Sequence, residues 1–158
     1  MFAAGGDRSM MQDAWRNDLY ERLAQAPPQQ TNQIAAGMLE TLLDPRWDEL
    51  RSIMLDELHV YPDAEVLEVG CGPGMLLEPL VDRVGPTGRV TGLDINPHLI
   101  SIAQQRADAL GFTNTSFVAA DCHELPFESR SFDAVVAEKL LLHRSEERRV
   151  GKECRSRW

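Results

Sequence analysis

Three glycines at a strand-to-helix junction constrain this chain more than any other feature. Residues 64–69 (AEVLEV) alternate and are rich in valine and leucine, the pattern of a buried strand. Residues 75–81 (MLLEPLV) resume with helical spacing. Between them Gly70, Gly72 and Gly74 form a G-x-G-x-G loop that turns sharply and lets a ligand approach backbone with no Cβ in the way. The helix that follows presents free N–H groups and a positive dipole end. A unit of this kind holds a nucleotide-like ligand.

Downstream residues narrow the ligand. The dinucleotide fingerprint G-x-G-x-x-G/A needs its third glycine one place later than this chain has it. Residues 88–94 (GRVTGLD) read as a second strand ending in Asp94, twenty residues after Gly74. An acid at that tip can accept hydrogen bonds from both hydroxyls of a ribose, and Ile95 beside it offers an apolar face to a base. Asn96 and Pro97 cap and start a helix that Gly111 closes. Residues 115–119 form a third strand, with Asp121 and Cys122 just beyond it, and residues 132–137 a fourth, with Glu138 at its tip.

The stretch E-V-G-C-G-P-G over 68–74 resembles motif I of the class I S-adenosylmethionine-dependent methyltransferases. D-x-x-x-L-P-F over 121–127 is similar to members that methylate small molecules, and F-D-x-V over 132–135 matches a further family stretch. The resemblance covers residues 64–143. It implies that Glu68, Gly70, Cys71, Gly72 and Gly74 wrap the methionine and ribose of S-adenosyl-L-methionine, and that Asp94 and Ile95 hold the ribose and adenine. It further implies that Asp121 accepts from the adenine amino group, that the Cys122 N–H meets the ring, and that Ala137 and Glu138 lie at the methionine end.

The implied fold class is α/β, a Rossmann-like parallel sheet preceded by N-terminal helices. The family's sheet has seven strands in the order 3-2-1-4-5-7-6, of which this chain is expected to supply strands 1–4. Its fourth strand then becomes an apolar edge, a template for aggregation, and the piece is expected to be marginal or inactive. The implied reaction is methyl transfer to a small-molecule acceptor. In-line alignment can supply most of the rate, so no catalytic side chain is obligatory. His143 is the candidate base if the acceptor must lose a proton. Two other readings stand beside this one: a nucleotide-dependent oxidoreductase of Rossmann type, and a non-catalytic fragment.

Three segments follow. Residues 1–60 form a helical segment: Ser9 opens a helix to about Gln25, Pro27-Pro28 breaks it, and Thr31 caps a second helix with Ile34, Met38 and Leu42 on one face. Asp44-Pro45 starts a third, with Trp47, Leu50, Met54 and Leu58 in phase. Residues 61–143 are the cofactor-binding core. Residues 144–158 read as a non-native tail, poor in apolar residues and rich in arginine, whose codons resemble a sequencing-library adapter read in frame.

Without that tail the remaining residues carry ten Lys and Arg against twenty-two Asp and Glu. So acidic a body repels polyanions, which disfavours nucleic acid as partner. No apolar run approaches the ~20 residues of a membrane span, and residues 1–6 lack the pattern of a secretory signal. Cys71 and Cys122 are too far apart for a zinc or disulfide framework, so no metal is expected and a reducing, cytoplasmic location is the default. Oligomeric state is not legible.

Overall fold

The structure, a computed structural model, describes residue 22 and residues 24–138. Nearly all of the helix expected from Ser9, together with His143 and the 144–158 tail, lies outside the described residues.

Helix α1 spans Pro28–Glu40 and α2 spans Pro45–Glu57, with a short 3-10 turn at Thr41–Leu43 between them. Strand β1 (Glu65–Val69) leads through the glycine loop into α3 (Leu77–Val84). Strand β2 (Arg89–Asp94), α4 (Pro97–Leu110), β3 (Thr115–Ala119) and β4 (Ala134–Val136) follow. All pairings are parallel, in the order β3-β2-β1-β4. The chain therefore moves outward from β1 to β3 and returns to the opposite side of β1 for β4. That reversal places a crevice beyond the carboxyl ends of β1 and β4, where open α/β sheets bind ligands.

Side-chain alternation along β1 divides the core. Val66 joins Leu55 of α2, Leu76, Leu80 and Val84 on one face, with Val90 and Val136. Leu67, Val69 and Leu93 face the other way, against Ala120, Leu125, Phe127 and Phe132 of the β3–β4 connection. Phe127 and Phe132 meet edge to face, 4.9 Å between centroids. Leu67, Leu76, Leu80 and Leu93 are fully buried, each contributing about 2 kcal/mol from apolar surface removed from water. Gly92 in β2 makes room for the Phe117 ring and the Cys71 sulfur, which would lie within 3 Å of a Cβ there.

Local chemistry sets the helix ends. Asn96 Oδ1 accepts from the N–H groups of His98 and Leu99, Pro97 takes the first helical position, and Gly111 closes α4 in the left-handed conformation. Asp44 caps α2 through the Arg46 N–H. Three expectations need correction. Thr31 is no cap: α1 starts at Pro28, and the buried Thr31 hydroxyl donates back to the carbonyls of Ala26 and Pro27. Helix α3 begins at Leu77 rather than Met75, because the loop uses residues 72–76 for its turns. On α2, Leu50 and Leu58 are exposed, while Arg51 and Leu55 are buried.

Candidate functional site

The loop after β1 is built from backbone hydrogen bonds. The N–H groups of Gly70 and Cys71 both donate to the carbonyl of Leu93, at 2.7 and 3.0 Å, carrying the β1–β2 pairing one step past the strand. Gly74 and Met75 donate to the Cys71 carbonyl. Gly70, Gly72 and Gly74 have φ of 73°, 54° and 82°, left-handed values that side-chain-bearing residues rarely adopt.

Asp94, at the tip of β2, ties this loop to the next strand. Its Oδ2 accepts from Gly72 N–H at 2.9 Å and its Oδ1 from Asn96 N–H at 2.9 Å. Burial raises the Asp94 carboxyl above its ordinary pKa, against the N–H groups of Asn96, Gly72 and Ile95, which favour the charged form. A carboxylate has about four acceptor sites, so these three donors leave capacity for a hydroxyl. Ile95 is half-buried beside it.

One strand further out, Ala120 N–H donates to the Asp94 carbonyl at 3.0 Å, which holds Asp121 at the adjoining strand end. The Asp121 Oδ1 accepts from His123 N–H at 2.9 Å and lies 3.1 Å from His123 Nδ1. Cys122 packs against the Leu67, Val69 and Leu93 cluster.

The β1–β4 side carries a charge cluster. Glu68 is 3% exposed. Burial pushes its carboxyl up to about 8, with Leu76 N–H opposing, Glu138 and Asp94 adding to the rise, and Arg51 opposing. Arg51, 4% exposed on α2, pairs with Glu138, Nε to Oε2 at 3.1 Å, and lies over the Trp47 ring at 5.9 Å. Its Nη1 is buried and has no hydrogen-bond partner among the described residues.

The structure thus places the glycine loop, Asp94, Asp121, Glu68 and Glu138 toward the carboxyl ends of the four parallel strands. Two of the expected residues also have contacts within the fold. Cys71 points into the core, and burial followed by the nearby Glu68 and Asp94 raises its thiol well above the ordinary value. At Gly74 a Cβ would lie 3.4 Å from Arg106 Nη1 and 3.6 Å from Ala103 Cβ, ordinary contact distances, so the left-handed φ of 82° rather than crowding favours glycine there. At Gly72 a Cβ would come within 2.8 Å of Met38 Cε, so the tip of α1's Met38 covers this glycine.

Arg51, Met38 and Arg106 were not among the sequence candidates. Arg51 had a readable signal: it lies one turn after Trp47 and one before Leu55, in phase with the buried face. Among the described residues no group of His, Cys, Asp and Glu could hold a metal ion, and no helix is long and apolar enough to cross a membrane.

A family model described as a methyltransferase domain matches residues 66–157, a range that runs on through most of 144–158. Aklanonic acid methyltransferase DauC of Streptomyces sp. (strain C5) is 41% identical over 71 residues, 45% of this chain and 32% of that protein. Demethylmenaquinone methyltransferase of Bacillus cytotoxicus is 33% identical over 78 residues, 49% of this chain and 33% of that protein. The match thus spans about a third of the length of these curated relatives. A solved structure from Methanococcus maripaludis, assigned as an S-adenosyl-L-methionine-dependent methyltransferase, superposes with a TM-score of 0.68. It covers 98% of this chain and 61% of that one at 14% identity, a likeness of fold.

Proposed function

The chain belongs to the methyltransferase domain family, and on that premise we propose that its loop at 70–74, Asp94 and Asp121 hold S-adenosyl-L-methionine for methyl transfer to a small-molecule acceptor. The observation that carries this reading is the hydrogen bond from Gly72 N–H to Asp94 Oδ2, which fastens the glycine turn to the acid one strand away. A loop stretched to hold a dinucleotide pyrophosphate would keep its third glycine one place later. The relatives named for aklanonic acid and demethylmenaquinone support a small-molecule acceptor.

The donor set fits such a cofactor. Asp94 keeps acceptor capacity for a ribose hydroxyl, and Asp121 stands at the next strand end for an adenine amino group. The Glu138 carboxylate complements a cationic ligand, Glu68 beside it keeps its proton near neutral pH, and Arg51 Nη1 is a buried donor that a carboxylate would satisfy. When bound, S-adenosyl-L-methionine supplies an activated methyl group.

The protein's part is placement. Gly72 and Gly70 fix the backbone against the ligand, Asp94 orients the sugar, and α1 and α2 cover the crevice through Met38 and Arg51, which limits water. Alignment of acceptor, methyl and sulfur supplies the acceleration. A melting series of the full chain tests the reading. S-adenosylhomocysteine should raise the melting temperature once it exceeds its dissociation constant, and NAD should not. Stabilisation by NAD alone would reverse the assignment.

A further inference from the structure

The glycine loop's conformation is gripped from α4 by a residue outside every motif. Arg106 donates from Nη1 to the carbonyls of Pro73, at 3.0 Å, and Gly74, and from Nη2 to Glu78 Oε1 at 3.0 Å. One guanidinium therefore joins the two inner peptides of the turn to the first turn of α3. The same nitrogen lies 3.4 Å from the place a Cβ would take on Gly74, so helix and loop are in contact there.

We propose that Arg106 is a positioning residue for ligand binding by this loop. A trans peptide is planar, so the C=O of one residue and the N–H of the next point in opposite directions. Holding the carbonyls of Pro73 and Gly74 on the α4 side directs the N–H groups of Gly74 and Met75 away from it, toward the Cys71 carbonyl they reach. Three left-handed glycines give the loop many alternatives, and freezing them before the ligand arrives removes that entropy from the cost of binding. Charge-assisted hydrogen bonds from a planar, always-charged fork suit the task, and lysine can meet only part of it.

The role is stated for the adenosyl ligand and so rests on the reading above, but its first consequence needs no ligand. Site-resolved hydrogen exchange of the full chain should show the Gly74 and Met75 amides exchanging roughly tenfold or more faster in Arg106→Gln. Arg106→Lys should be intermediate. Arg83→Gln is the comparator, because Arg83 makes a similar ion pair with Asp56 and a bond to the Ser52 carbonyl, away from the loop. It should leave these two amides unchanged.

Calorimetry with S-adenosylhomocysteine, at a temperature where all variants are folded, should then show Arg106→Gln binding roughly tenfold more weakly, Lys partly rescuing, and Arg83→Gln binding as the parent does. Unaltered exchange at Gly74 and Met75 in Arg106→Gln would overturn the proposal, as would equal loss of affinity in Arg83→Gln. If the parent binds no S-adenosylhomocysteine while the exchange pattern appears as described, the ligand assignment fails and the grip of Arg106 on the loop stands.

Discussion

The Gly72 N–H donates to Asp94 Oδ2 at 2.9 Å across twenty-two residues of chain, and this bond locks the turn after β1 to the tip of β2. Replacing Asp94 by alanine removes both that bond and the Oδ1 acceptor of Asn96. The expected loss of S-adenosylhomocysteine affinity is about 1–3 kcal/mol, measured calorimetrically. Unchanged affinity would remove Asp94 from the site.

Gly72→Val should abolish cofactor binding. At φ 54° a branched residue is strained, and its Cβ would meet Met38 Cε at 2.8 Å. Met38 is flexible and can yield, so the fold should lose only about 1–3 kcal/mol by urea denaturation. Normal affinity in this variant would refute close approach of ligand to the Gly72 backbone.

Glu68 makes stability pH-dependent in a stated direction. In the fold it holds its proton up to about 8, against 4.5 for the ordinary carboxyl. The folded chain thus binds more protons than the unfolded one between these values, and its stability falls as pH rises through that window. The slope from this group approaches about 1.4 kcal/mol per pH unit. Asp94 is shifted in the same direction. Glu68→Gln should flatten the profile of denaturation midpoint against pH, while keeping an acceptor for the Leu76 N–H; a slope as steep as the parent's would contradict the assignment.

Arg51 and Glu138 are a nearly buried pair, with side chains 4% and 14% exposed. Arg51→Ala removes the buried cation beside the Glu138 carboxylate and should cost about 3–5 kcal/mol in chemical denaturation. The double variant Arg51→Met, Glu138→Leu should regain much of that loss, since apolar residues avoid the desolvation of both charges. A double variant less stable than Arg51→Ala would argue against this account.

The parallel core was legible because its signals are local. The valine- and leucine-rich run at 64–69, buried on both faces from Val66 to Val69, the glycine triplet, and the Asn96–Pro97 and Gly111 helix ends each carry their reason within a few residues. Strand ends carrying Asp94, Asp121 and Glu138 followed from the same pattern. What escaped depends on distant partners. The buried side of α2 includes Arg51 rather than Leu50 because Glu138, eighty-seven residues on, neutralises it. Thr31 lies a turn inside its helix because Pro28 already fills the first position, and the same hydroxyl meets Asn96. The contact of Arg106 and Ala103 with Gly74 escaped for the same reason, since α4 and the loop meet only in the fold.

We propose that the 70–74 loop, Asp94 and Asp121 serve one adenosyl-type ligand. Backbone amide NMR of the full chain, titrated with S-adenosylhomocysteine, is the decisive test. The amides of Gly70, Gly72, Ile95 and Cys122 should shift together along a single binding curve. Shifts confined to one of these strand ends, or following curves with different midpoints, would contradict it.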